Sequence, residues 1–154
     1  MSEGDVTSFF IEDLQVGQSA SYERAISEAD VREFALMSGD FNPVHLDEAY
    51  AQATRFNGRI VHGMLPVTFV STVLGTRLPG AGCIFMDASF RFKAPVRIGD
   101  TVVATCTVRE INAPKGRVSF DCMCSVGDTV VVEGDALVKV PSREAQATAP
   151  AETA

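Results

Sequence analysis

The feature that most constrains the fold of this chain is an apolar segment from Gly63 to about Leu74. When this segment is placed on a helix, almost no polar face remains; its apolar residues are Met64, Leu65, Val67, Phe69, Val70, Val73 and Leu74. Such a helix is stable only where protein surrounds it. Pro66 fits near the third helical position, because an N–H there would have no partner inside the helix. We therefore predict a central helix that ends near Gly75 and the Pro79-Gly80 pair.

The chain after this helix has the period of β-strands. Apolar residues alternate with polar ones, and glycine- or proline-containing turns separate the runs. The predicted strands cover residues 83–93, 101–108, 118–124 and 129–140. Long consecutive strands joined by short turns favour an antiparallel sheet.

The chain before the helix is predicted to hold a short strand (20–26), a helix from the N-cap Ser27 to about Ser38, and a short helix from Asp47 to Ala53. The order is therefore α+β. Only a wide curved sheet can cover the apolar helix, which predicts a hotdog fold, an antiparallel sheet wrapped around a central helix. We predict one such domain over residues 1–140. Residues 141–154 lack large apolar side chains, and we predict a disordered tail there.

Composition limits the class of protein. The net charge of −7 argues against binding to nucleic acid or to an anionic membrane surface. The N-terminus lacks an apolar signal core, and no run approaches the ~18 apolar residues of a membrane span, so we expect a cytoplasmic protein. The four cysteines lie in apolar runs without zinc-site spacing, which predicts buried, reduced thiols: Cys83, Cys106, Cys122 and Cys124.

Candidate chemistry is concentrated around an Asn-Pro turn. Asp40 and His45 flank this turn, and Gly63 stands where the apolar helix begins. A carboxylate and an imidazole can hold one water and move its proton, while free N–H groups at a helix start can polarise a carbonyl oxygen. The alternative is structural: Asp40 ends one helix, His45 caps the next, and Gly63 is an N-cap.

The motifs Asp40-Phe-Asn-Pro-Val-His45, Ile60-Val-His-Gly-Met-Leu65, Leu78-Pro-Gly80 and Phe90-Arg-Phe-Lys-Ala-Pro-Val96 resemble the MaoC-like family. The likeness runs from about Val16 to Val140 and is strongest to short bacterial (R)-specific enoyl-CoA hydratases. It implies reversible syn hydration of a trans-2-enoyl-CoA to a (3R)-hydroxyacyl-CoA, without metal or other cofactor, since coenzyme A is part of the substrate. It also implies a homodimer whose sheets join edge to edge, with the acyl-CoA substrate between the subunits.

The same resemblance assigns roles to residues. Asp40 and His45 match the catalytic pair, Gly63 offers its N–H to the thioester oxygen, and Ser71 matches a substrate-pocket serine. For Ser71, a hydrogen bond to its own helix is an equal alternative. His62 is expected to pack or hydrogen-bond locally, and Asn42 to shape the turn.

Two questions stay open at this level. Five cations are, as a group, candidates for the phosphates of coenzyme A, although a solvated sheet face explains each of them without any ligand: Arg91, Lys93, Arg97, Lys115 and Arg117. The function also has alternatives: the protein is a hotdog thioesterase, a non-catalytic acyl-CoA-binding protein, or an enzyme that acts on acyl-carrier-protein or dicarboxylic substrates.

Overall fold

A computed structural model describes residues 4–148 of the chain. Five strands form one antiparallel sheet in the order β1-β3-β4-β5-β2. The strands are β1 (Ser19–Ala25), β2 (Ile84–Phe92), β3 (Thr101–Asn112), β4 (Arg117–Val126) and β5 (Thr129–Lys139). The helices are α1 (Glu28–Ser38), α2 (Pro43–Leu46), α3 (Glu48–Gln52), α4 (Met64–Thr76) and α5 (Arg143–Thr148), and short 3-10 turns occur at Ile11–Asp13 and Ala113–Lys115.

Helix α4 lies against the sheet and contacts β1, β3 and β4. The strands present every second side chain to it, and the buried residues of β3 and β4 are Val102, Ala104, Cys106, Val108, Val118, Phe120, Cys122 and Cys124. Apolar burial of this kind is the main source of stability for the fold. The predicted hotdog architecture is therefore confirmed.

The central helix differs from the prediction in two details. It continues through Gly75 to Thr76, since one glycine inside a helix costs only about 1 kcal/mol. It is also not enclosed on every side, because Met64 is 56% exposed and Ser71 is exposed within this single chain.

The cysteine prediction holds for three of the four thiols. Cys106, Cys122 and Cys124 are buried and free, whereas Cys83 is only half-buried and is also free. Cys83 lies one residue before the edge strand β2, where the sheet covers less of it.

The N-terminal helix α1 is bounded as its sequence predicts. Ser27 Oγ accepts the backbone N–H of Asp30, and the Asp30 carboxylate accepts the backbone N–H of Ser27. This reciprocal pair fixes the start of the helix. Gly39 ends it with a φ of 78°, a left-handed conformation that glycine adopts at little cost. Asp40 follows immediately, so the helix end determines where that carboxylate lies.

Part of the segment predicted to be a disordered tail is helical. Residues Arg143–Thr148 form α5, and Arg143 pairs with Asp13 across 2.6 Å. Ser142 Oγ accepts the Ala145 N–H at the start of this helix. Arg143 also donates its backbone N–H to the Glu12 carboxylate and lies over the Phe10 ring, so contacts with the N-terminal segment hold this stretch without large apolar side chains of its own. The rest of the predicted tail lies outside the described residues.

The two edges of the sheet differ in character. The edge strand β2 exposes large apolar side chains, namely Ile84, Phe85, Met86 and Phe92, whereas the other edge strand, β1, carries mainly small and polar residues. An open apolar strand edge is a ready surface for pairing with another strand. Within residues 4–148, no helix has both the length and the apolar character needed to cross a membrane.

Candidate active site

Asp40 is held by a chain of local hydrogen bonds beyond the end of α1. The Ser38 hydroxyl donates to the Phe34 carbonyl at 2.6 Å and accepts the Asp40 N–H at 3.2 Å. The Asp40 Oδ1 atom accepts the Asn42 N–H at 3.1 Å. Asp40 remains exposed, so its carboxylate is both oriented by the backbone and open to a ligand.

His45 lies in the four-residue helix α2, which the sequence did not predict. Asn42 caps this helix by accepting the Val44 N–H at 3.2 Å, and Pro43 occupies its first turn. His45 is 8% exposed. The cap of the following helix α3 is Asp47, which accepts the Tyr50 N–H, so the interpretation of His45 as that cap is wrong.

The protonation of the His45 ring follows from its partner. Its Nδ1 lies 2.8 Å from the backbone carbonyl oxygen of Ile60. A carbonyl oxygen only accepts, so Nδ1 carries the hydrogen and, in the neutral ring, Nε2 keeps a lone pair. His45 therefore has a basic nitrogen that its protein partner does not use.

His62 packs against this ring. The centroids of the His45 and His62 rings are 4.0 Å apart, and the Phe34 ring lies 4.9 Å from the His62 ring. His62 Nε2 donates to the backbone carbonyl of Asp40 at 2.9 Å. The local packing and hydrogen bonding expected for His62 are thus observed, and they connect it to both members of the candidate pair.

The structure brings the three polar side chains together. One ligand atom each from Asp40, His45 and His62 lie within 4.8 Å of one another. Asp40 and His45 therefore face a common site, and the amide of Gly63 directly follows His62 in the chain.

Two arginines, Arg59 and Arg97, connect the site to residues 56–59 and to α1. Arg59 Nε donates to the His45 carbonyl at 2.6 Å, while its guanidinium pairs with Glu28 of α1 at 2.9 Å. Arg97 in turn binds the carbonyls of Phe56, Gly58 and Arg59. The sequence did not single out Arg59, and Arg97 was interpreted only as a candidate phosphate ligand. Their contacts join residues that are distant in the chain, so no local pattern identifies them.

The environment also sets the charge state of His45. Burial lowers the pKa of His45 below its usual 6.5, and the neighbouring His62 lowers it further. The bond to Ile60 and the negative charge of Asp40 oppose this shift. The net direction is downward, so the neutral form is favoured near pH 7.

A cavity opens beside the start of α4. Its lining is mainly apolar and includes His62, Gly63, Pro66, Phe92 and Val132. Gly63 donates no hydrogen bond to any residue in the described range 4–148. Its N–H is one of the unpaired donors expected at a helix start and is available to an oxygen of a ligand.

Ser71 is not part of this cavity. It is exposed on the outer side of α4 and lies about 12 Å along the helix from Gly63, given eight residues at ~1.5 Å each. Its assignment to a substrate pocket stays a prediction.

Sequence comparison identifies the family to which this arrangement belongs. The model of the "MaoC like domain" matches residues 13–122, a range that contains Asp40, His45, Gly63 and Ser71. The chain belongs to the MaoC-like domain family.

Several relatives of this MaoC-like domain are named as enzymes. An (R)-specific enoyl-CoA hydratase of Rhodospirillum rubrum is 52% identical over 93% of this chain and 99% of that protein. A 3-hydroxybutyryl-CoA dehydratase of Methylorubrum extorquens is 47% identical over 88% of this chain and 86% of its own length. A solved (R)-hydratase from Aeromonas caviae, described as involved in PHA biosynthesis, has a TM-score of 0.81 at 40% identity and covers 84% of this chain and 99% of its own.

The polar cluster of this MaoC-like domain also has the composition of a metal site. Among the described residues, only Asp40, His45 and His62 form a group of three potential ligands with donor atoms close enough to share an ion. Two imidazoles and a carboxylate suit Zn²⁺ or a similar divalent cation. The absence of a metal from the reaction was predicted from the sequence, and it stays a prediction.

Proposed function

We propose that this MaoC-like protein is an (R)-specific enoyl-CoA hydratase, a hydro-lyase that catalyses reversible syn addition of water to trans-2-enoyl-CoA. The observation that carries the proposal is the convergence of Asp40 and His45 on one site, with His45 Nε2 free of hydrogen bonds to residues 4–148. The named relatives, which act on the same class of thioester, support it.

In the proposed reaction, one water lies between the Asp40 carboxylate and His45 Nε2. The pair removes a proton from this water as its oxygen bonds to the β-carbon, and it delivers one proton to the α-carbon. The C2–C3 double bond becomes a single bond, and no proton is gained or lost overall. A lowered pKa favours His45 in its neutral form, which can accept a proton.

Negative charge develops on the thioester oxygen while the new C–O bond forms. The free N–H of Gly63, at the start of the 13-residue helix α4, is proposed to donate to this oxygen. The positive end of the helix dipole favours the same charge.

The hydration assay is simple. Crotonyl-CoA should lose its enoyl absorbance in the presence of the protein, without release of free thiol. Thiol release would instead identify a thioesterase, and binding without turnover would identify an acyl-CoA-binding protein. Either result would reject the proposal.

We further propose a homodimer joined along β2. This edge exposes the large apolar side chains described above, and pairing would satisfy its unpaired backbone groups. A partner subunit could then also cover the exposed side of α4, where Ser71 would contact the substrate. Sedimentation of the full chain tests this, because a species that stays monomeric at micromolar concentration would contradict it.

The proposal also covers cofactors, cellular location and metabolic role. Addition of water involves no net oxidation or reduction, and Asp40 and His45 are proposed to move the protons, so the proposal includes no metal or redox cofactor; coenzyme A arrives as part of the substrate. It would act in the cytoplasm and supply (3R)-hydroxyacyl-CoA to another enzyme, in fatty-acid metabolism or polyhydroxyalkanoate synthesis. A series of enoyl-CoA esters of increasing length would establish its chain-length preference.

A further inference from the structure

We propose that Arg55 and Lys93 bind the phosphate groups of coenzyme A at the mouth of the cavity beside Gly63. This inference rests on the proposed function, because it assumes that a CoA thioester occupies the site. It adds a binding site for the nucleotide end of the substrate, remote from the reacting carbons.

The shape of the cavity separates the two ends of such a substrate. The cavity is lined by Gly63, Phe56, Pro66 and Phe92, among others, and has a volume of about 220 Å³. Pockets that enclose drug-sized ligands measure roughly 300–1,000 Å³. The cavity is therefore suited to a narrow chain, such as the pantetheine arm, and the bulkier nucleotide would remain outside its mouth.

The charge of the lining is unusual for this chain. Acidic residues outnumber Lys and Arg by 20 to 13 in the sequence. Among the described residues that line the cavity, none is acidic, whereas Arg55 and Lys93 are both cationic and exposed. An anion approaching this opening meets positive charge on an otherwise acidic surface.

Arg55 is available for an external anion. Its guanidinium lies over the Phe56 ring at 4.9 Å and makes no hydrogen bond or ion pair with residues 4–148. A guanidinium that is not neutralised by a carboxylate can bind a phosphate with two parallel hydrogen bonds. Packing on Phe56 limits its conformations at the mouth of the cavity.

Lys93 retains part of its charge. It lies 3.5 Å from Glu133, but the same carboxylate oxygen is 3.5 Å from Arg91. One carboxylate therefore faces two cations, which leaves one net positive charge in this group. Arg55 adds a second positive charge beside the cavity.

The other cations considered from the sequence are less suitable. Arg97 is engaged by three backbone carbonyls. Arg117 pairs in register with Lys139, at the opposite end of β5 from Val132, which pairs with Phe92. The seven intervening steps at ~3.3 Å place Arg117 about 23 Å from the cavity along the strand.

The experiment compares a thioester that carries the phosphate-bearing nucleotide end of coenzyme A with one that lacks it. Steady-state kinetics are measured with crotonyl-CoA and with crotonyl-pantetheine, which has no phosphate, for the wild type, Arg55→Ala, Lys93→Ala and the double variant. The control is Arg109→Ala, which removes the same charge from an exposed side chain paired with Asp121. Circular dichroism checks that each variant folds.

We expect Arg55→Ala to raise KM for crotonyl-CoA about tenfold, equivalent to one charge-assisted contact. The KM for crotonyl-pantetheine and both kcat values should stay within about twofold of the wild type. Salt should raise the wild-type KM for crotonyl-CoA and reduce the difference between the variants. Crotonyl-dephospho-CoA then shows which phosphate is bound: an effect that persists assigns the diphosphate, and one that disappears assigns the 3′-phosphate.

Two results would overturn the inference: an equal change in KM for both esters, or the same KM for crotonyl-CoA in the double variant as in Arg109→Ala. A failure of the proposed function is distinguishable, because the wild type would then hydrate neither ester. In that case calorimetric titration with free CoA and with pantetheine decides, since Arg55→Ala should weaken binding of CoA only.

Discussion

His45 donates its Nδ1 hydrogen to the backbone carbonyl of Ile60 across 2.8 Å. This bond leaves Nε2 as the nitrogen that can exchange a proton, and it fixes the plane of the ring. It also joins two segments 15 residues apart, those of the Asn-Pro turn and of the residues before α4. The basicity of the candidate site thus depends on a backbone atom from another part of the chain.

Removing either member of the pair should abolish most of the activity. Asp40→Asn and His45→Gln are each expected to lower kcat by about 10²- to 10⁴-fold, the usual contribution of a positioned acid or base. Asn at position 40 can still accept the Asn42 N–H, so the fold should persist. The matched control is Asp128→Asn, in the turn between β4 and β5. Turnover close to that of the control would exclude the residue from the mechanism.

The acid limb of the pH profile should lie below the usual titration range of histidine. Burial lowers the pKa of His45 from 6.5, so its neutral form persists to lower pH and kcat/KM should fall only below that value. A limb at or above pH 6.5 would contradict this assignment.

The same shift links stability to pH. Below pH 6.5 the unfolded chain binds a proton that folded His45 does not yet bind. Its contribution to the free energy of unfolding is therefore fully present above pH 6.5 and is lost as the pH falls through the folded pKa. Urea titrations of the wild type and of His45→Gln at several pH values measure this contribution. The same dependence of the free energy of unfolding on pH in both proteins would refute it.

His62→Phe tests whether His62 positions the pair. Phenylalanine keeps a ring against His45 but cannot donate to the Asp40 carbonyl. Small displacements of reacting groups are costly, so we expect kcat to fall between about tenfold and hundredfold with KM little changed. The stability loss should be about 1 kcal/mol, for one hydrogen bond. The pKa of His45 should rise, because the influence of His62 that lowers it is gone.

The outcome that opposes this role is a wild-type kcat with an unshifted pH profile. A merely structural role would lower stability without moving either quantity.

Gly63→Ala should damage catalysis more than folding. A Cβ at this position would lie 3.0 Å from the Phe92 ring. The contact is with the end of a side chain, which can shift by a few tenths of an ångström, but the added methyl group would narrow the cavity beside the N–H. Crotonyl-CoA kinetics should show a lower kcat/KM at a nearly unchanged melting temperature. Gly75→Ala, where the added Cβ meets open space, is the control and should retain activity.

Chelation should leave the activity intact. Because the reaction is proposed to need no metal, dialysis against EDTA should not lower kcat. Added Zn²⁺ should inhibit, since Asp40, His45 and His62 can share one ion and each imidazole already bonds a backbone carbonyl, as ligand histidines do. Loss of activity on chelation that is restored by metal would disprove the metal-free mechanism.

The sequence by itself determined the architecture, because burial patterns are local and periodic. The near-absence of polar residues between Gly63 and Leu74 predicted the central helix, and the alternation in β3 and β4 predicted the inner face of the sheet. The proximity of Asp40 and His45 follows from a tight turn, so a short motif was enough to predict that the two side chains lie close together. The helix α2 was missed because four residues show no helical period.

Only the tertiary structure decided what surrounds the pair. Arg59, Ile60 and His62 reach the Asn-Pro turn from 14 to 22 residues away, and Arg55 reaches the cavity mouth from the loop after α3. No local sequence pattern predicts such contacts, because they depend on how separate segments pack. The burial that lowers the pKa of His45 has the same origin: desolvation is a property of the assembled fold.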